Sequence, residues 1–358
     1  MALTSKEVKT LLSNPDKTAE LANLVYVSEE ELCVERKKRN DSFEYFKNGK
    51  PVKNKKQLER YKKLVIPPAW ESVKICPMDN GHLQAIGRDA KNRKQYLYHP
   101  DWGEIRNRTK FYKMASFGKI LPKIRQQVDE DLDLPKMPQR KVLALVVRLM
   151  EETHIRIGNE CYAKKNKSYG LSTLRKRHVE ISKGKMNFHF IGKKGKEHTI
   201  TVEDKRLVKL VNKCEEIPGW EVFKYYDEDG GKNSIDSGMV NEYIQEISGE
   251  LYSAKDFRTW SATKIFFENL RDLGYTENEK ENKSSILKSF DAAAEALGNT
   301  RSVCRSYYVH PMVVELYETG GIVPYFQKVE RKRTSLPHFS QTEEVLLGMI
   351  SDYEIEIS

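Results

Sequence analysis

Four short segments set polar or reactive side chains beside small or turn-forming residues: HIRIGNE (His154–Glu160), FIGKKGKEH (Phe190–His198), KDFRTW (Lys255–Trp260) and LGNTRSVCRSYYVHP (Leu297–Pro311). They share cations near turns and helix starts, within a chain dense in tyrosine. Guanidinium and ammonium groups so placed are donors for phosphate or another oxyanion. Singly, each has an ordinary explanation: Arg156 as a surface ion-pair partner, Lys193 as a solvated hairpin tip, Arg258 as a helix salt bridge, Tyr308 as a core aromatic. Their occurrence together in one chain outweighs those separate explanations.

Other chemistries lose support by omission. The sequence has no G-x-x-x-x-G-K-[ST] loop, G-x-G-x-x-G, H-E-x-x-H or G-x-S-x-G, which argues against ATP, dinucleotide and zinc-hydrolase readings. No His/Cys/Asp cluster has ligand spacing, so no metal or other cofactor is implied. The five cysteines (Cys33, Cys76, Cys161, Cys214, Cys304) form no C-x-x-C pair, as expected of an intracellular protein without a disulfide framework.

The elements that must position these groups follow from length and patterning. At 358 residues the chain predicts two domains. Hydrophobic residues make up 39%, enough for real cores, and the longest apolar run, Val142–Val147, is far too short to span a membrane. No signal-peptide pattern opens the chain. Net charge is +10, but between Arg36 and Pro100 there are 17 Lys and Arg against 6 Asp and Glu. One segment therefore holds the whole excess. A solvated face would explain Arg36–Arg39 alone; an excess spread over a domain with interleaved Trp70, Tyr96 and Tyr98 points to a polyanion, most simply nucleic acid.

The opening stretch to about Glu20 reads as a short helical or mobile lead. From Leu24 to Pro100 short strands are predicted at LVYVS, SFEYF, SVKICP, HLQAIG and QYLYH, separated by turn signals. Helical periodicity follows Trp102, with Asp129–Arg140 as an inter-helix loop. Within the helical part, His178–Ile181, Met186–Ile191 and Glu197–Val202 alternate like strands, and Gly192–Lys196 forms a hairpin tip. A helix capped by Ser253 and Asp256 runs to about Leu273, another spans Ser284–Leu297 with Gly298 as its stop, and a third begins near Thr300. The fold class is α+β: a small antiparallel β-rich domain over residues 1–102 and a larger, mainly helical domain over 103–358 that ends in an acidic tail from Gln341.

At these motifs the chain resembles the poxvirus-like type IB DNA topoisomerases, in the form also found in bacteria. The resemblance runs from about Leu24 to Gly320 and includes VIPPAW (Val65–Trp70), LQAIGRDAKNRKQYLYHP (Leu83–Pro100), IRIGNECYA, GLSTLRKRHVEI and the segments quoted first. It implies the catalytic fold shared with tyrosine recombinases, and relaxation of supercoiled DNA without ATP or metal. One strand is cleaved through a 3′-phosphotyrosyl intermediate, swivels and is resealed.

The resemblance implies Tyr308 as nucleophile, with Tyr307 its rival if the register slips by one. A phenol, of pKa about 10, is a weak nucleophile but leaves more easily than an alkoxide. Arg156 and Arg258 correspond to the family's transition-state arginines. Asn299 stands where poxviral enzymes have His; it can donate to a phosphate oxygen but cannot carry charge. Lys193 corresponds to the general-acid lysine, while Lys194 and Lys196 are alternatives by residue type alone. Arg93, Gln95, Tyr96 and Tyr98 are implied DNA contacts of an N-terminal half that completes a clamp, with Tyr96 and Tyr98 on one face of a strand and Gln95 on the other.

Two other readings compete. A tyrosine recombinase carries His three residues before its second arginine, where this chain has Lys255, and begins with a helical domain. A non-enzymatic DNA-binding protein needs no tyrosine at a fixed distance from Asn299. The expected partner is double-stranded DNA, with no membrane and no nucleotide cofactor, bound by a monomer in the bacterial nucleoid or, for a viral protein, in the virion or host cell. Asn299 leans towards a bacterium.

Overall fold

In the computed structural model, residues 14–40, 42–249 and 252–353 are described; the first 13 residues of the expected helical lead lie outside them. The chain divides into two compact units, one up to Tyr112 and one from Lys113 to Tyr353. The 33-residue helix Pro100–Leu132 begins in the first and continues into the second.

The first unit is a six-stranded antiparallel sheet in the order β3-β2-β1-β4-β5-β6, with β1 at Val34–Arg39, β2 at Ser42–Lys47, β3 at Lys50–Pro51, β4 at Glu71–Ile75, β5 at Leu83–Arg88 and β6 at Lys94–Tyr98. Four of these match the expected strands. The expected strand at LVYVS does not form: only Val25 bridges, to Gly81, while Leu24 packs with Ala19, Trp102 and Ile105. In its place the basic run forms β1, the strand between β2 and β4, whose alternation sends Val34 and Arg36 inward.

Arg36 is thus not part of a solvated face. It donates to the carbonyls of Ile66 (2.8 Å), Pro67 (2.9 Å) and Trp70 (2.9 Å), binding the VIPPAW loop to the sheet, and its guanidinium lies 4.2 Å from the Phe43 ring centroid. Arg60, on the helix Lys55–Lys63, likewise donates to the carbonyls of Cys76, Pro77 and Met78 and to Gln84 Oε1. Part of the basic excess therefore satisfies carbonyls that would otherwise lose hydrogen bonds on folding.

The second unit is built around the helix Gln139–Thr153. Its Val142–Val147 run is enclosed on all sides, each residue at 5% exposure or less. It packs against the helices Lys205–Glu216, Ser237–Ser248 and Ala254–Leu273. At about 1.5–3 kcal/mol for each fully buried Val or Leu, this helix anchors the unit. The loop before it is shorter than expected, because Pro100–Leu132 stays helical through Asp129. Arg148 on Asp129 (2.6 Å) and Arg140 on Asp131 (2.8 Å) join the two helices across residues 133–138.

A three-stranded antiparallel sheet, β7 (Val179–Ser182), β8 (Lys185–Ile191) and β9 (Glu197–Val202), projects the Gly192–Lys196 turn. The helix Ala254–Leu273 carries the expected Ser253/Asp256 capping box. It packs against Glu279–Ala296, which starts one turn earlier than expected because Asn278 caps it. Gly298 follows at φ +60, and Thr300 caps the helix Arg301–Tyr307. The acid-rich end folds as the helix Gln341–Ile350, with Leu346, Met349 and Ile350 buried. No described helix is long and apolar enough to cross a membrane.

Candidate active site

Arg156 sits in the segment that leaves the central helix. His154 ends that helix in the left-handed conformation (φ 54), turning the chain back over it. The peptide of Arg156 is then clasped from GLSTLRKRHVEI: Leu171 N–H donates to its carbonyl at 2.9 Å and Ser172 N–H to that of Ile157 at 2.7 Å. The clasp requires Gly170, since a Cβ there would stand 2.6 Å from Gly158 N and 2.7 Å from Gly158 Cα.

Arg258 lies in the second turn of the helix Ala254–Leu273 and is 5% exposed. Its Nη1 donates to the carbonyl of His154 and its Nη2 to that of Leu297 at 2.8 Å. Its Cζ is 5.7 Å from the Tyr308 ring centroid. Burial, then the Arg156 charge, pulls its pKa down to about 10, with Tyr308 working the other way. Burial also lowers Arg156. A buried and a half-buried arginine, neither with a carboxylate partner among the described residues, form a site that lacks negative charge.

Asn299 follows Gly298, its N–H donating to the Ala294 carbonyl at 2.8 Å. Its Oδ1 accepts from Arg156 Nη2, which orients the amide so that Nδ2 faces away from that bond. Arg258 Nε and Asn299 Nδ2 are both buried, and neither has an oxygen or nitrogen partner among the described residues. Tyr308 ends the helix Arg301–Tyr307, and its carbonyl accepts from Thr263 Oγ1 at 3.1 Å, which in turn accepts from His310 N–H at 3.1 Å. Tyr308 is half-buried beside Arg258, whereas Tyr307 is 52% exposed.

The structure thus brings Arg156, Arg258, Asn299 and Tyr308 together. Lys193 stands exposed on its turn, its ammonium without a hydrogen bond or ion pair among the described residues, as do the ammoniums of Lys194 and Lys196. In the other unit, Tyr96 and Tyr98 lie stacked on the exposed face of β6, centroids 6.1 Å apart. Arg93 pairs with Asp89 (2.6 Å), which also accepts from Gln95 Nε2 (2.9 Å). Sequence reasoning passed over Thr263, five residues after Arg258, because a threonine inside a helix carries no signal of its own. No described group of three or more His, Cys, Asp or Glu could hold a metal.

A mainly helical unit with a small three-stranded sheet, centred on one buried and one half-buried arginine, an amide and a tyrosine, has the makings of a phosphoryl-transfer enzyme. The family model for the catalytic core of eukaryotic DNA topoisomerase I matches residues 94–330, and that for the N-terminal domain of bacterial DNA topoisomerase IB matches residues 42–89. The chain belongs to the type IB DNA topoisomerases, an isomerase family. It is 34% identical to DNA topoisomerase 1B of Acanthamoeba polyphaga mimivirus over 80% of this chain and 88% of that protein. The vaccinia virus DNA topoisomerase 1B and monkeypox virus DNA topoisomerase I are each 24% identical over 68% of this chain and 75% of theirs.

Proposed function

We propose that Tyr308 is the nucleophile of this topoisomerase. Its oxygen attacks the scissile phosphorus, the bond to the 5′-oxygen breaks, and a 3′-phosphotyrosyl bond forms; the phenolic proton passes to solvent and Lys193 protonates the departing 5′-oxygen. Religation is the reverse, and because the phosphotyrosyl bond conserves the energy of the phosphodiester, neither ATP nor metal is needed. Arg156, Arg258 and Asn299 donate to the two non-bridging oxygens as charge builds on them. Arg93, Gln95, Tyr96 and Tyr98 hold the duplex. The protein works as a monomer, and the bacterial type of its N-terminal domain favours the nucleoid of a bacterial cell.

One observation carries this reading: Arg258 Nε and Asn299 Nδ2 are buried donors with no oxygen or nitrogen partner among the described residues, and Arg258 stands against the Tyr308 ring. An unpaired buried donor costs about 1–3 kcal/mol, a cost that phosphate oxygens would relieve. The test is relaxation of supercoiled plasmid in EDTA without ATP, followed by trapping of the adduct on labelled duplex and peptide mapping. DNA attached to Tyr308, and no relaxation by Tyr308→Phe, is the expected result. Attachment to Tyr307, or relaxation that persists in Tyr308→Phe, overturns it.

A further inference from the structure

His198 is the second residue of β9, beside the lysine turn, and its surroundings are unusual. The ring lies flat on Phe190 of β8, with centroids 4.9 Å apart and planes 12° from parallel. On one side it meets Gly192, where a Cβ would stand 2.6 Å from Nε2 and 2.7 Å from Cδ2. On another it meets Gly298, where a Cβ would collide with Cε1. Gly192 directly precedes Lys193, and Gly298 directly precedes Asn299. One ring therefore touches the backbone of both segments that lead into these site residues.

The turn needs such a support. It carries three lysines, its Lys194 and Gly195 are at positive φ, and its own bonds are Gly192 N–H to the Lys196 carbonyl (2.7 Å) and Gly195 N–H to that of Gly192 (3.1 Å). Those bonds close the turn without fixing where it points. No hydrogen bond holds the His198 ring among the described residues, so it acts by shape, as a flat spacer fitted between two glycines. Burial, then the charges of Arg156, Lys196 and Arg258, lowers its pKa and keeps the ring uncharged at neutral pH.

We infer that His198 is a positioning residue: it seats the Lys193 turn against the Gly298–Asn299 segment, so that the lysine ammonium is held at the leaving 5′-oxygen. This rests on the reading of Lys193 as proton donor. Misplacement of a reacting group by about 1 Å costs on the order of 10²-fold in rate.

The experiment measures single-turnover cleavage of two duplexes, one natural and one with sulfur in place of the scissile 5′-oxygen. A thiolate leaves without being protonated, so the second duplex does not need the donor. His198→Ala is expected to slow cleavage of the natural duplex by about 10- to 100-fold and to regain most of the parent rate on the sulfur duplex. His198→Phe, which keeps a flat ring, stays near the parent rate on both. His198→Gln replaces the alanine variant in the same comparison if the latter does not fold. Lys193→Ala must itself be rescued by sulfur; if it is not, the donor reading falls and this inference with it. If Lys193→Ala is rescued and His198→Ala is equally slow on both duplexes, or if His198→Phe is as slow as His198→Ala, the positioning role alone is overturned.

Discussion

Arg258 Nη2 donates to the carbonyl of Leu297 at 2.8 Å, two residues before Asn299, while its Nη1 donates to the carbonyl of His154, two residues before Arg156. One side chain thus joins the two segments that present the other phosphate donors. It spends both terminal nitrogens on that task and leaves Nε without a hydrogen-bond partner among the described residues, with Cζ 5.7 Å from the Tyr308 ring centroid.

This division of labour predicts that Arg258→Lys fails although it keeps the charge. An ammonium is a single point of donation and cannot span both carbonyls while also meeting a phosphate oxygen. Cleavage by Arg258→Lys should fall by about 10²–10³-fold, the cost of one lost transition-state donor. Equilibrium binding of DNA at fixed salt should change far less, since most of the affinity comes from many phosphate contacts. Equal losses in cleavage and binding would make Arg258 a binding residue.

Asn299 should be sensitive to charge more than to size. Its Oδ1 accepts from Arg156, and its Nδ2 has no oxygen or nitrogen partner among the described residues. Asn299→Asp keeps the acceptor, removes the donor and adds a negative charge beside the reacting phosphate. It is expected to cleave at least about tenfold more slowly than Asn299→Ala, which only removes a donor. Asn299→His retains a donor and should be the least impaired of the three. The ranking is read from cleavage rates at pH 7.5, and an aspartate variant faster than the alanine variant would contradict it.

The site was legible where its signals are local. Gly298 as a helix stop, the Ser253/Asp256 cap and the Gly192–Lys196 turn are decided by a few adjacent residues, and the structure has each of them. What could not be read has distant causes. Arg36 looks like one charge among four in the sequence, and only the Ile66, Pro67 and Trp70 carbonyls, more than thirty positions away for Pro67 and Trp70, make it a buried anchor. The helix Lys55–Lys63 was hidden because its only buried residue is Tyr61, leaving almost no apolar periodicity to see. The place of His198 was invisible because two glycines far apart in sequence define it.

The Gly170 contact gives a test of how tightly Arg156 must be held. A methyl at Gly170 would press on backbone atoms of Gly158 rather than on a side chain that could swing aside. Gly170→Ala should therefore cost about 1–3 kcal/mol of stability through overpacking. It should also slow cleavage, because relief of the clash must move the peptide of Arg156, whose carbonyl accepts from Leu171 N–H. Urea unfolding and single-turnover cleavage on the same preparation check both. Lost stability with unchanged cleavage would mean that the Arg156 segment moves without moving its guanidinium.

Glu343 lies beyond residue 330, where the family match ends, yet it reaches the helix of Arg258. It is 2% exposed and takes a two-pronged bond from Arg125, Nη2 to Oε1 at 2.7 Å and Nη1 to Oε2 at 2.9 Å. Its Oε1 also accepts from Trp260 Nε1 at 2.9 Å, two residues after Arg258. Burial by itself would raise the carboxyl's pKa, but the hydrogen bond and charge of Arg125, helped by Ser340 N–H, outweigh it and hold the value at about 2. A depressed carboxyl contributes stability that is fully present above the unfolded value of about 4.3 and is lost as pH falls towards the folded one. Glu343→Gln keeps the shape but leaves Arg125 facing one buried carboxylate, Glu151, instead of two. The variant should be about 3 kcal/mol less stable at pH 7. That difference should hold down to about pH 5 and shrink between about pH 4.3 and 2, as the parent loses its own charge. Urea unfolding of both proteins across this range measures it, and a gap that stays constant to pH 2 would show that hydrogen-bond shape, and not charge, holds the terminal helix to Trp260.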